Sequence, residues 1–424
     1  MKQATELKQP AYRVGKWLPT DQKTLENWIS TVITLAKKGK RRFHPVIIEF
    51  KELIENDAEI YMLFHMMFNQ VPHKAPYDKT PTGKPQIRNY EELLIVLNYI
   101  LTTAPEFNDT GLVGFPINAI LDWPMGTIGG FAAFINPKVN AQLKRILNEW
   151  AKFLKSKESR YILNKSPRGW MNPKALEKWQ PDLYVCNPDE EYGGFHSWDD
   201  FFTRQFKKGA RPVADPGNQN IIVNACESAP YNIERNVKAE SNFWVKGQPY
   251  SLRHIFNNHD NLDLFVGGTV YQAFLSAMNY HRWHSPVDGT IEDVKIIDGT
   301  YYSEILSQGF LNPHGPDPSA PNNSQGYLSE VATRALVFIR AKNPKIGLMC
   351  FVSIGMSEVS SNEVTVRPGE KVEKGQQLGM FHYGGSSHCL IFRPETKLEF
   401  DLHGQEPSLH SENIPINSKI ATVL

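Results

Sequence analysis

Apolar residues fall at Val139, Leu143, Ile146, Leu147, Trp150, Phe153 and Leu154, which is one face of a helix. Glu49–Phe68 and Tyr90–Leu101 carry the same period, so the first part of the chain is expected to be mainly helical. Prolines interrupt it, and Val71–Pro85 reads as a surface loop. Lys165–Pro216 is rich in turn residues around Trp198–Arg204 and reads as a connector. Beyond it the period shortens to short strands separated by Gly, Pro, Asn and Asp, as in Gly268–Leu275, Gly289–Ile297, Ala335–Ile339, Ile346–Ile354 and Gln376–His382. That spacing predicts a compact antiparallel β sandwich or barrel. The expected fold class is therefore α+β, with a helical domain over 1–164, a connector over 165–216 and a β domain over 217–424.

Composition narrows the function classes. Of 424 residues, 41% are hydrophobic, enough for substantial cores, and 46 Lys and Arg balance 45 Asp and Glu. No chain-wide field for nucleic acid or an anionic membrane follows from that balance. Mean hydropathy is −0.40, and no apolar run is long enough to span a bilayer. The N-terminal residues lack the apolar core of a secretory signal. Cys186, Cys226, Cys350 and Cys389 are scattered without a Cys-x-x-Cys pair, against a disulfide framework or a cysteine zinc site. A cytoplasmic enzyme without a metal is the expectation. The basic run Lys37–Arg42 reads as a solvated helix end rather than a targeting signal, and His314 has no nameable partner.

Three places could carry chemistry. Gly384-Gly385-Ser386-Ser387 follows a strand, and the glycines would leave the Gly385 carbonyl open to attack by the Ser386 hydroxyl. A plain glycine turn is the commoner meaning of such a motif. Tyr280-His281-Arg282-Trp283-His284-Ser285-Pro286-Val287-Asp288-Gly289 sets two histidines three apart, able to serve as base and acid. Structural histidines beside an Asp-Gly turn are the alternative, and zinc is the weaker one, for want of further ligands. Glu227 could orient a histidine, or could be a solvated strand-end carboxylate.

In order along the chain, Phe201-Phe202-Thr203-Arg204, Gly209-Ala210-Arg211-Pro212, Val245-Lys246-Gly247, the Tyr280–Gly289 segment and Gly375–Ser387 resemble the phosphatidylserine decarboxylase family of pyruvoyl enzymes. Glu227 stands where that family has an Asp, and Ser387 and His388 depart from its usual Thr and apolar residue. With the helical N-terminal region, these departures make the chain similar to the family's soluble fungal branch, which includes tryptophan decarboxylases.

The resemblance implies self-cleavage between Gly385 and Ser386 into chains 1–385 and 386–424 that stay associated without a covalent link. Residue 386 would become a pyruvoyl group, with no PLP required. It also implies Glu227 holding His284, His284 as base for Ser386, and His281 as the acid of the decarboxylation step. The expected substrate is a free amino acid, tryptophan favoured, with phosphatidylserine as the alternative. A non-catalytic β module and a serine hydrolase acting in trans are the rivals from other classes. Whether copies of the chain associate is left open.

Overall fold

The computed structural model describes residues 22–39, 42–71, 87–107, 115–241, 249–275, 278–306, 324–358, 361–383 and 385–424. Seven helices come first: α1 (Gln22–Lys38), α2 (Pro45–Asn56), α3 (Ala58–Asn69), α4 (Tyr90–Ile100), α5 (Pro116–Met125), α6 (Ile128–Ile135) and α7 (Pro137–Leu154). The apolar stripe of α7 is buried as its period predicts, from Val139 to Leu154. The single helix expected over Glu49–Phe68 is two, because Asp57 leaves helical geometry and its carboxylate accepts from the Ile60 N–H to cap α3. Lys37 and Lys38 end α1, where Lys37 pairs with Glu92. The Val71–Pro85 loop, apart from its first residue, and His314 lie outside the described residues.

Two short helices follow, α8 (Pro173–Trp179) and α9 (Trp198–Phe202). Next come β1 (Ile221–Val223), β2 (Ala229–Arg235), α10 (Leu252–Ile255), β3 (Thr269–Leu275), β4 (Arg282–His284), β5 (Gly289–Ile297), α11 (Gln325–Val331), β6 (Arg334–Ala341) and β7 (Leu348–Met356). The chain finishes with β8 (Ser361–Val364), β9 (Lys371–Val372), β10 (Gln377–His382), β11 (Gly385–Phe392), β12 (Leu398–Phe400) and β13 (Lys419–Val423).

Every strand ladder among the described residues is antiparallel. A seven-stranded sheet runs β2-β3-β11-β7-β6-β5-β9, and two three-stranded sheets run β1-β13-β12 and β4-β10-β8. The α+β class with helices first and an antiparallel sheet second is thus what the structure shows. Ser387–Phe392 of β11 are buried without interruption, as expected of a strand with neighbours on both edges and cover on both faces. One apolar core fills the sheet region, and a second fills the helical region while taking in Tyr280, Tyr301, Tyr302 and Tyr383 from beyond it. No described helix is long and apolar enough to cross a membrane.

Candidate active site

The segment Gly384–Ser387, read from sequence as a turn, is largely strand: Gly385 opens β11 opposite Met356, and Ser386 lies between Leu275 of β3 and Gly355 of β7. The turn is displaced one residue back, to Tyr383, whose φ of 55° is left-handed and strained for a tyrosine. Its ring is held by an aromatic cage. Trp150 of α7 lies 4.8 Å away and Trp198 of α9 4.6 Å away, both edge-on, with Phe202 at 5.8 Å and Phe115 stacked at 6.4 Å. The helical region therefore clamps the residue that leads into Gly384-Gly385.

His281 precedes and His284 ends the short strand β4, which pairs with β10. His281 is fully buried, its ring stacked on Phe202 at 3.9 Å, and its carbonyl accepts the Phe381 N–H at 2.9 Å. His284 pairs instead with Gln377, four residues earlier on β10, roughly 13 Å back along a strand. The His284 ring shares a 2.9 Å hydrogen bond between Nε2 and the Tyr280 hydroxyl. Burial, resisted by the Asn417 carboxamide, holds its pKa down at about 4, so the ring is neutral at neutral pH.

Glu227 is also buried, and the structure corrects its expected contact. Its Oε1 accepts from Arg211 Nε at 2.7 Å and Nη2 at 2.6 Å, and its Oε2 from the Ile416 N–H at 2.5 Å. No hydrogen bond joins it to His284. A carboxylate this deep requires a charge partner, and Arg211 supplies it. Burial still raises the Glu227 pKa, against the pull of Arg211. The two residues share backbone neighbours: His284 N–H donates to the Ala225 carbonyl at 2.8 Å, and Asn417, beside His284, follows Ile416.

Around β11 the polar groups divide into satisfied and unsatisfied. The Ser387 hydroxyl accepts from Gln272 Nε2 at 3.1 Å, and Gln272 Oε1 accepts from the Tyr250 hydroxyl at 2.6 Å. His388, two residues after Ser386, is wholly buried, stacked on Phe351 at 5.8 Å, with no hydrogen bond at either nitrogen. Burial drives its pKa down to about 3. The Ser353 hydroxyl on the paired strand, the Tyr271 hydroxyl and Trp283 Nε1 are likewise buried without a hydrogen-bond partner. His388, Ser353 and Tyr271 lie on the neighbouring strands β11, β7 and β3, with Trp283 of β4 packed against Phe351 beside them, and such unmet groups are uncommon in native interiors.

Sequence reasoning placed Ser386, His281, His284 and Glu227 but missed Tyr383 and Asn417, and noted Arg211 only as part of a motif. A large residue before Gly-Gly was a signal for Tyr383; nothing local marked Asn417. Among the described residues, no group of three or more His, Cys, Asp or Glu could hold a metal ion.

Two sections of the chain, residues 44–179 and 198–414, match the family described as phosphatidylserine decarboxylase. The decarboxylase iboD of Amanita muscaria is 42% identical over 73% of this chain and 91% of its own length. The L-tryptophan decarboxylase of Psilocybe cubensis is 36% identical over 94% of this chain and 92% of its own. Phosphatidylserine decarboxylase proenzyme 3 of Schizosaccharomyces pombe is 31% identical over 52% of this chain and 21% of its own length.

Proposed function

The chain belongs to the phosphatidylserine decarboxylase family and is a decarboxylase, and from that premise we propose that it cleaves itself before Ser386 and then decarboxylates a free amino acid, tryptophan foremost. The observation that carries the cleavage is the strained, caged Tyr383 leading into Gly385 at the mouth of a central strand. The choice of a free amino acid rests on coverage: similarity to the tryptophan decarboxylase spans helical and sheet regions alike, whereas similarity to the lipid-acting proenzyme covers about half the chain.

His284, neutral and hydrogen-bonded to Tyr280, takes the Ser386 hydroxyl proton. Arg211 and Glu227 brace the Ile416–Asn417 backbone beside it, which makes them positioning residues. The unsatisfied His388, Ser353, Tyr271 and Trp283 fit a polar group formed at position 386 and the substrate it receives. A pyruvoyl group there supplies a ketone that binds the substrate amine and draws electrons from the carbon losing CO2. His281, buried against Phe202, delivers the replacing proton. Chain 386–424 stays in place after the cut, because β11 is flanked by β3 and β7 and β13 pairs with β1, all three in chain 1–385. On this reading residues 217–424 form the catalytic domain and 1–164 the clamp on its processing segment.

Intact mass measurement of the denatured protein tests the cleavage: two chains, 1–385 and a pyruvoyl-bearing 386–424, are expected, and a single intact Ser386→Ala chain without activity. A processed, active Ser386→Ala protein would sink the reading. Release of amine from tryptophan, other amino acids or vesicle-borne phosphatidylserine separates the substrates; activity on the lipid alone overturns the amino-acid assignment.

A further inference from the structure

His382 ends β10 and immediately precedes Tyr383. Its ring stands between two carboxylates: Nδ1 lies 3.0 and 3.1 Å from the Asp199 oxygens on α9, and Nε2 lies 2.7 Å from Glu363 Oε2 on β8. A neutral imidazole carries one N–H and would turn a bare lone pair on one of these carboxylates, so only the imidazolium donates to both. The His382 and Asp199 side chains are each 11% exposed, which leaves this pair weakly screened, whereas Glu363 is half-exposed. Burial alone would discharge the ring, but the two carboxylates outweigh both burial and Lys155, just past α7, and its pKa stands above the ordinary 6.5. Other residues of α9 hold the next residue of the chain. Trp198 and Phe202 pack on Tyr383 at 4.6 and 5.8 Å, and Phe202 also stacks on His281. One short helix, Trp198–Phe202, therefore grips two consecutive residues on the approach to Gly385, one by charge and one by rings.

We infer that His382, as an imidazolium between Asp199 and Glu363, is a positioning residue for self-cleavage, a role that rests on the cleavage reading above. It acts through Tyr383 rather than on the reacting atoms. The ion pair fixes the end of β10 against α9, and that contact keeps the Tyr383 ring seated on Trp198 and Phe202 with its backbone left-handed. When the ring loses a proton, one nitrogen faces its carboxylate with a lone pair, the bridge opens on that side, and the segment leading to Gly385 is held less closely. Because the folded pKa is raised, the fastening is complete below about pH 6.5 and is lost as pH rises through the higher, folded value. His284, held at about 4, stays neutral throughout that range, so the base of the reaction adds no change there.

Two measurements on the full-length chain test this. The first needs no cleavage: nitrogen NMR of histidine-labelled Ser386→Ala protein, with the His382 signals identified by their loss on adding His382→Gln. Both His382 nitrogens are expected to be protonated at pH 7, and Asp199→Asn is expected to move the midpoint to lower pH. The second follows splitting of chain newly made by cell-free translation, by intact mass across pH 6–9. Wild type is expected to slow roughly tenfold from a low-pH to a high-pH plateau, with His382→Gln at the slow plateau throughout. Asp199→Asn should shift that fall to lower pH together with the NMR midpoint, which a merely structural loss would not do. A neutral His382 at pH 7, a midpoint unmoved by Asp199→Asn, or wild-type rate in His382→Gln overturns the inference and leaves the cleavage reading intact. If the variants fail to fold, the wild-type profile decides, and a rate level or rising through pH 6–9 overturns it. A wild-type chain that never splits overturns both.

Discussion

Trp150, Trp170 and Trp179 are buried in the helical region, and each donates its indole N–H to a backbone carbonyl, at 2.9, 2.7 and 2.9 Å. Trp283, wholly buried beneath the central sheet, donates to nothing, and His388, Tyr271 and Ser353 near it are also unmet. The same kind of residue is thus settled at three positions and left wanting at two, Trp283 under the sheet and Trp198 of α9, whose indole N–H is also unmet where its ring packs on Tyr383. An unsatisfied buried polar group lowers stability by about 1–3 kcal/mol, so a cluster of them is kept for chemistry rather than for folding. Trp150, Trp170 and Trp179 read as settled packing, and the groups around β11 and Tyr383 as the places where stability was given up.

The largest effect expected in that contrast is at Glu227. Arg211→Met would leave its carboxylate buried without a charge partner and lower stability by about 3–5 kcal/mol, read from the urea midpoint. A midpoint unmoved by the change would mean that burial beside His284 carries little strain.

Acid should single out the sheet region next. His388 titrates near pH 3 when folded and near its ordinary 6.5 when unfolded, so between those values the unfolded chain binds more protons. Its contribution is whole above about pH 6.5 and declines as pH falls, by roughly 2 kcal/mol at pH 5. His284, held at about 4, loses a similar amount over the same window. His388→Val should remove its share, so that the urea midpoint falls less between pH 7.5 and pH 5 than in wild type. An identical fall in both proteins would contradict the burial of a neutral ring at 388.

The smallest effect gives the most direct comparison. Trp170→Phe loses a hydrogen bond and strands the Pro105 carbonyl, whereas Trp283→Phe loses none. The first should cost about 1 kcal/mol more than the second, by paired denaturant titrations. Equal losses would erase the distinction between the satisfied and the unsatisfied tryptophans.

Much of this was legible along the chain. The stripe of α7 from Val139 to Leu154 and the strands β3, β5 and β10 stand close to where their periods put them, because burial on one or both faces is written locally. The break at Asp57 was hidden because apolar spacing runs through it, and the cap depends on one side chain meeting one N–H. Gly385 and Ser386 were visible as a motif, yet their place as strand rather than turn was not. A two-residue glycine signal cannot say whether β3 and β7 will arrive on either side.

By itself, then, the sequence determined the class of fold, the order of its halves and the residue types able to cut and carry protons. Those follow from hydrophobic period and side-chain chemistry, which act over a few residues. Tertiary structure alone decided that Arg211 rather than His284 meets Glu227, and that Tyr383 is locked among Trp150, Trp198 and Phe202. Each of these pairs residues far apart in the chain, and which partner a buried charge or ring obtains is set by how the two cores close on one another.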